Sequence, residues 1–486
     1  MNRVLIFLLL MQLLHGCAMN PVSGKQDIVL MSEKQEIAIG RRNHPQILAH
    51  YGRYDDPDLQ AYVTQVGNRL AAQSHRSELV YRFTVLDSDE VNAFALPGGY
   101  IYITRGLMAY LNSEAELAAV LGHEIGHVTA RHSVRQQTAA TAAGLGYTLA
   151  SIFVPELGNS QSQNLYGLLS NALLSGYGRE HELEADRLGA EYLQRTGRDP
   201  GAMLTVIGVL KEQEQFAHQQ ARAEGRDYQG YHGLFATHPD HDTRLQEVVN
   251  AARLIQTSET SDSEARATYL AKIDGMVFGD SAHQGIRRGN HFHHAPMGFS
   301  LTLPEGWSIK NLPDRIIAIA PAGKAQLQIE VEDINKRISP REFIHQRLGL
   351  KHLQQGRKIT ANGLDGYSGL TPLRTQAGNR TGRVSVVYLD QQAYIFTGAA
   401  VDESIAARVD EQFLDTARSL HRITTAERKL AQPLRLQIAT ARRNTNYMKL
   451  AAESPIDSYA EAYLRLLNGH YPTGQLQAGT LYKIVD

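Results

Sequence analysis

Two histidines and a glutamate raise the first question of chemistry. In "HEIGH", His123, Glu124 and His127 fall within five consecutive positions. On a helix, positions i and i+4 project from one face about one turn apart, so two imidazoles at that spacing can hold one metal ion together. Neutral imidazole suits zinc, and a catalytic zinc site keeps three protein ligands and one open position. Zinc supplies Lewis acidity that brings the pKa of water towards neutrality. Glu124, beside the first imidazole, is a carboxylate placed to accept a proton from such a water. The pattern needs a third ligand before it means more than an ordinary helix.

Residues 176–201, "GYGREHELEADRLGAEYLQRTGRDPG", offer one. Leu183, Leu188 and Tyr192 mark a helix that Gly197 ends, and Asp199-Pro200 starts the next. Glu182 and Asp186 stand at i and i+4 on that helix. One carboxylate can reach a metal while the other holds the free N–H of a ligating imidazole. The competing reading is a charged, solvated helix face.

These residues need elements to position them. Asp56-Pro57 opens a helix lined by Leu59, Val63, Val66 and Leu70. "YRFTVL" alternates as a strand does, and "VNAFALPGGYIYIT" predicts two short strands around Pro97-Gly98-Gly99. Ser113 with Glu116 predicts a capping box that starts the helix running through "HEIGH".

The chain has 486 residues, too many for one ordinary core, so two to four domains are expected. Its 43% hydrophobic content is that of a soluble globular protein. With 49 Lys+Arg against 50 Asp+Glu the net charge is −1, which gives no broad electropositive surface for nucleic acid. The single cysteine, Cys17, excludes an intrachain disulfide. It follows an apolar run from Val4 to Leu14, shaped as a secretory signal and too short to span a membrane. "LHGC" resembles a bacterial lipobox, with His15 departing from its usual small or β-branched residue. That resemblance implies a signal peptide over 1–16, lipidation of Cys17 and, with Ala18 next, an outer-membrane destination. The alternative is a plain signal peptide with an incidental cysteine.

"HEIGH" followed by "REHELEAD" resembles the zinc endopeptidase family of the CAAX prenyl proteases and the bacterial heat-shock membrane protease. The nearer likeness is to its soluble branch of periplasmic and outer-membrane lipoproteins. "NPVSGKQDIVLMSEKQEIAIG", "NAFALPGG" and "THPDHDTRL" match that branch in the right order, over roughly half the chain. The resemblance implies one zinc ion held by His123, His127 and Glu182, with Glu124 as general base. Asp186 matches a position often described as a proton donor; orienting an imidazole suits its spacing better. The strand of "NAFALPGGYIYIT" would then pair with an extended substrate through main-chain hydrogen bonds, favouring unfolded or unassembled envelope polypeptides. An ordinary buried hairpin is the alternative. "TAATAAGLGYTLASIFV" (138–154) reads as a helix packed over the site, before the polar loop "GNSQSQN".

In "ATHPDHDTRLQEV", His238 matches a histidine of soluble relatives and would sit over the zinc as a displaceable fourth ligand, leaving the enzyme latent. Arg244 nearby would act as an outer-sphere or electrophilic group. Otherwise the stretch is a proline-fixed turn in which Arg244 pairs with Asp242.

The fold class expected is α+β multidomain. A mainly helical zincin-like peptidase domain with a small sheet (17–256) precedes a linker (257–297) and an antiparallel-sheet α+β domain of unknown role (298–424). A LysM-like module (432–486) follows. "LNG" and "AG…YKIV" carry that last likeness, which implies contact with peptidoglycan, although "RNTN" replaces the usual Gly-Asp-Thr. The strand-rich domain is faintly similar to PsbP, which implies no activity. "HFHHAP" (291–296) reads as polar linker rather than a second metal site. The function expected is a lipid-anchored envelope endopeptidase in protein quality control. The rival is an envelope chaperone or assembly scaffold whose zinc site stays mostly latent.

Overall fold

The computed structural model describes residues 17–22, 24, 26–29, 31–139, 177–224, 262–312, 314–375 and 378–486. The chain is an α+β protein of two compact units. Met1–Gln220, Tyr228–Met276 and Arg435–Asp486 form one, and Ala221–Asp227 with Val277–Leu434 the other.

The first unit opens with an antiparallel pair, β1 (Cys17–Met19) and β2 (Gln26–Ile28). Helix α1 (Glu33–Tyr51) starts at a capping box of Ser32 and Gln35. Helix α2 (Pro57–Ala71) starts where the Asp56 side chain accepts a hydrogen bond from the Leu59 amide at 2.9 Å. Its predicted apolar stripe, Leu59, Val63, Val66 and Leu70, is buried. A three-stranded sheet follows, made of β3 (Arg82–Leu86), β4 (Ala93–Leu96) and β5 (Tyr100–Thr104). β5 is central, β3 runs parallel to it, and β4 is an antiparallel edge strand. The β4–β5 turn uses Gly98 and Gly99 at φ 80° and 85°. A side chain on Gly98 would also stand 2.5 Å from the Ile37 Cα, so α1 can lie against this turn only because the residue is glycine.

Short helix α3 (Arg105–Tyr110) leads into α4 (Glu114–Thr129), which carries "HEIGH". Ser113 caps α4, accepting from the Glu116 amide at 3.2 Å. The reciprocal half of the predicted box is different: the Glu116 carboxylate accepts from the Asn112 amide at 2.7 Å and from the Ser113 hydroxyl at 3.3 Å. Burial explains the change, because a carboxylate this enclosed takes the donors of the preceding turn. Helices α5 (Arg179–Arg195), α6 (Ala202–Ala223) and α7 (Asp262–Ile273) complete the helical layer. Beyond α4, Arg131 takes a left-handed φ of 56°. Buried Glu36 then accepts from Arg131 and Arg76, each at 2.9 Å, and so ties α1 to the end of α4.

In the second unit, short β6 (Val277–Phe278) precedes β7 (Ile286–Arg288), β8 (His291–His294) and β9 (Phe299–Thr302). Then come β10 (Ser308–Leu312), β11 (Arg315–Ile319) and β12 (Ala325–Asp333), helix α8 (Pro340–Gln346), and β13 (Gln354–Ala361). The long strands β14 (Leu364–Thr375), β15 (Gly378–Leu389) and β16 (Gln392–Ala400), helix α9 (Ala406–Ser419), β17 (His421–Arg422) and helix α10 (Thr425–Leu430) follow. Seven strands form an antiparallel sheet in the order β10-β11-β12-β16-β15-β14-β13, and four form another in the order β17-β9-β8-β7. Trp307, Phe299, Phe396 and Phe413 share its largest core.

Two expected boundaries change. Residues 257–297 read as a linker, yet they carry α7 and strands β7 and β8. Polar composition misleads there: Phe292 is in the core, while His293 is buried with its Nδ1 2.9 Å from the Ser300 hydroxyl. Residues 432–486 read as a separate module. They form β18 (Leu434–Thr440), α11 (Tyr447–Glu453), α12 (Ala460–Leu467) and β19 (Leu481–Val485), with β18 and β19 antiparallel. From Arg435 onward this segment belongs to the first compact unit. Among the described residues no helix is long and apolar enough to cross a membrane.

Candidate metal centre

Helices α4 and α5 meet through glycines. A Cβ on Gly126 would stand 2.9 Å from the Ala185 carbonyl oxygen, and one on Gly189 would stand 3.0 Å from the His123 amide nitrogen. Backbones this close let a short carboxylate on α5 reach imidazoles on α4. His123 and His127 lie one turn apart with their Nε2 atoms 2.9 Å from each other. Both face Glu182, whose Oε2 is 3.6 Å from His123 Nε2 and whose Oε1 is 3.5 Å from His127 Nε2. Donor atoms of these three buried residues lie within 4.8 Å of one another. Two imidazoles and one carboxylate fit zinc's preference for nitrogen and oxygen ligands, and three protein ligands leave a position open.

The second carboxylate of the helix does something else. Asp186 Oδ1 lies 2.8 Å from His123 Nδ1, the nitrogen turned away from the donor cluster. Spacing alone left Glu182 and Asp186 interchangeable; the structure puts Glu182 among the donors and Asp186 behind His123. Glu124, 1% exposed, follows His123 on the same buried helix.

Behind the other imidazole stands a group that the sequence reading passed over. His127 Nδ1 is 2.8 Å from His132 Nδ1, and His132 Nε2 is 3.1 Å from Glu184 Oε2. Glu184 also accepts from Arg135 at 2.8 Å. For His127 to present Nε2 to a metal its proton must sit on Nδ1. That N–H can donate to His132, and His132 Nε2–H to Glu184. Burial holds His132 below the ordinary imidazole range, and hydrogen bonding by His132 and Arg135 brings Glu184 down to about 2. The Tyr177 ring stacks on His127 at 4.1 Å between centroids, which closes the remaining side. The signal was present in "HVTARHS", but helical periodicity does not place His132 under His127. The left-handed Arg131 does. Partners of this kind typically set metal affinity or activity by 10–100-fold. His132→Ala is expected to weaken zinc binding by about that factor with the fold intact, measured by competition with a chromophoric chelator.

Beside His127 a small cleft is lined by Ala95, Leu96, Pro97 and Gly98 of β4 and its turn, and by Val134 and Tyr177. Strand β4 thus lies beside His127, and all residues of β4 and β5 are buried, as the hairpin alternative expects. His238 and Arg244 lie outside the described residues, as do 140–154, "GNSQSQN" and the side chain of Cys17.

The fold and donor set define a zinc peptidase-type centre, with two helices crossing so that an i, i+4 histidine pair meets a carboxylate from the second. Residues 57–252 match the model of peptidase family M48, and over that span the chain is similar to the family. A relative, the beta-barrel assembly-enhancing protease of Yersinia pestis, is 33% identical over 259 residues, covering 51% of this chain and 50% of that protein. The metalloprotease LoiP of Escherichia coli (strain K12) is 29% identical over 189 residues, covering 38% of this chain and 68% of LoiP. The chain thus spans about half the length of the first of these relatives. A solution structure of the cyanobacterial PsbP of Synechocystis sp. PCC 6803 matches with 13% identity, 30% of this chain, 98% of that one and a TM-score of 0.23, too low to carry an argument.

Proposed function

We propose that the chain is a zinc-dependent endopeptidase of the bacterial envelope that hydrolyses misfolded or unassembled, outer-membrane-type polypeptides. The observation that carries this reading is the buried convergence of His123, His127 and Glu182, with Glu124 next to the first of them. His123, His127 and Glu182 would hold the ion. When bound, zinc supplies the Lewis acidity that activates water and polarises a carbonyl. Glu124 accepts a proton from the attacking water and later delivers it to the leaving amine, so the same carboxylate serves as base and then acid. Asp186 and the His132–Glu184 pair hold the two imidazoles by their far nitrogens. Strand β4, at the edge of its sheet among the described residues, lies beside His127, and an extended peptide would add to it as a further strand. Recognition through the backbone tolerates varied side chains, which suits unfolded clients. Both relatives bear protease names, and that supports the reaction class. The test is cleavage of an unfolded outer-membrane polypeptide by the purified chain, which must stop on chelation. Persistence in chelator would contradict the reading.

The apolar run before Cys17 and the lipobox-like "LHGC" support an anchored, periplasmic protein. Several acyl chains together hold a protein at a bilayer where one would not. Mass spectrometry should find an acylated Cys17, and Cys17→Ser should release the chain from membranes; retention after a salt wash would argue against the anchor. His238 is proposed as a displaceable fourth ligand, with Arg244 as its outer-sphere neighbour. His238→Ala is then expected to raise basal cleavage at unchanged zinc content, and unchanged cleavage would reduce it to a turn residue. The LysM-like reading of 432–486 proposes peptidoglycan contact, to be checked by sedimentation with purified sacculi; a chain left in the supernatant would discard it.

A further inference from the structure

Lys483 is the most enclosed cation of the C-terminal segment, with no exposed surface. It sits on β19, where a lysine ordinarily points to water. Instead its Nζ donates to the carbonyl oxygens of Ala109 and Leu111, both at 2.7 Å. Those oxygens belong to the C-terminal end of α3, where helix carbonyls lack intrahelical partners and a positive charge is favoured. Asn112 and Ser113 come next in the chain, and α4 begins.

The counter-charge lies in the first turn of α4. Glu116 is buried and accepts from the Asn112 amide and the Ser113 hydroxyl. Burial pushes the Lys483 ammonium well down and the Glu116 carboxyl up, while each charge favours the other. Two further ties grip the same place. Asn468 holds Lys483 by its backbone, donating to its carbonyl at 2.9 Å and accepting from its amide at 2.8 Å. Arg266 donates to the carbonyls of Asn112 and Leu481, each at 3.3 Å.

We propose that Lys483 is a positioning residue of the metal centre, which sets where α4 begins and therefore where His123 and His127 stand. A helix rises 1.5 Å per residue, so the ten steps from Ser113 to His123 form a stiff rod of about 15 Å. A shift at its start is carried to the imidazoles, whose cluster with Glu182 on another helix tolerates little displacement. The segment from Arg435 is on this account part of the peptidase, and whatever engages it acts on the same rod. The inference rests on the zinc-peptidase reading, so its test needs a readout at the metal other than turnover.

The full chain is loaded with cobalt(II), whose visible absorption reports ligand geometry, and affinity, kcat and KM are measured alongside. Lys483→Met keeps length and removes charge. It is expected to shift the cobalt spectrum, weaken cobalt binding by about 10–100-fold and lower kcat, with KM within about twofold because β4 is untouched. Lys483→Met combined with Glu116→Gln should recover most of both losses, since neither buried charge is then left alone. Met448→Ala, on an exposed residue of α11, should change neither. Should Lys483→Met fail to fold, Asn468→Ala carries the test, because it frees the lysine's backbone and keeps the cation. Wild-type cobalt affinity and kcat in the single variant would overturn the proposal, as would a double variant no better than the single. A wild type that takes up no cobalt would instead contradict the zinc-peptidase reading.

Discussion

Glu182→Ala is expected to leave the chain folded and unable to keep zinc through purification. The variant retains His123 and His127, whose Nε2 atoms still face each other at 2.9 Å, but two imidazoles fall short of the three protein ligands a catalytic site requires. Glu182 is fully buried and faces both imidazoles, so its loss should cost more than the roughly 10–100-fold that partners behind a ligand cost. Metal analysis after dialysis, with circular dichroism to show the helices intact, reads the outcome. Full zinc occupancy in Glu182→Ala would move the third ligand elsewhere.

Glu124→Gln carries the second large effect, and it separates binding from chemistry. The side chain keeps its size and place on α4, and the three donors are unchanged, so one zinc per chain should remain. An amide cannot take the proton from water, and kcat should fall by about 10²–10⁴-fold, the range for a positioned acid–base group. Because β4 and its turn are unaltered, KM should hold. Single-turnover cleavage of an unfolded polypeptide, with zinc content measured on the same sample, checks both halves. Wild-type turnover with zinc in place would remove Glu124 from the mechanism.

The helices of the first unit were legible because their signals are local: Asp56-Pro57, Ser113, and apolar stripes at helical spacing. The strands β3, β4 and β5 followed from alternation and from Pro97-Gly98-Gly99. The i, i+4 pair in "HEIGH" was legible for the same reason, since a helix alone brings His123 to His127. Relations between elements were less so. Nothing in periodicity tells Glu182 from Asp186, because both lie on one face of α5; the glycine-lined crossing of α4 and α5 makes the difference. His132 stayed hidden because the chain turns at Arg131 through a left-handed conformation that helical spacing cannot foresee. The histidines of β8 were misjudged by composition, and nothing local to Lys483 signals that it is buried. A charged or polar residue predicts solvent on average; His293 is an exception through Ser300 on the neighbouring strand, and Lys483 through the carbonyls of Ala109 and Leu111, hundreds of residues away.

The claim that this chain is a zinc endopeptidase meets its most direct test in the appearance of new amine termini on an unfolded outer-membrane polypeptide, counted by mass spectrometry. The account predicts that the purified chain generates them, stops when zinc is chelated, and resumes when one equivalent of zinc is returned. Termini that accumulate equally in the chelated chain, or none at all from a chain holding one zinc at His123, His127 and Glu182, would contradict it.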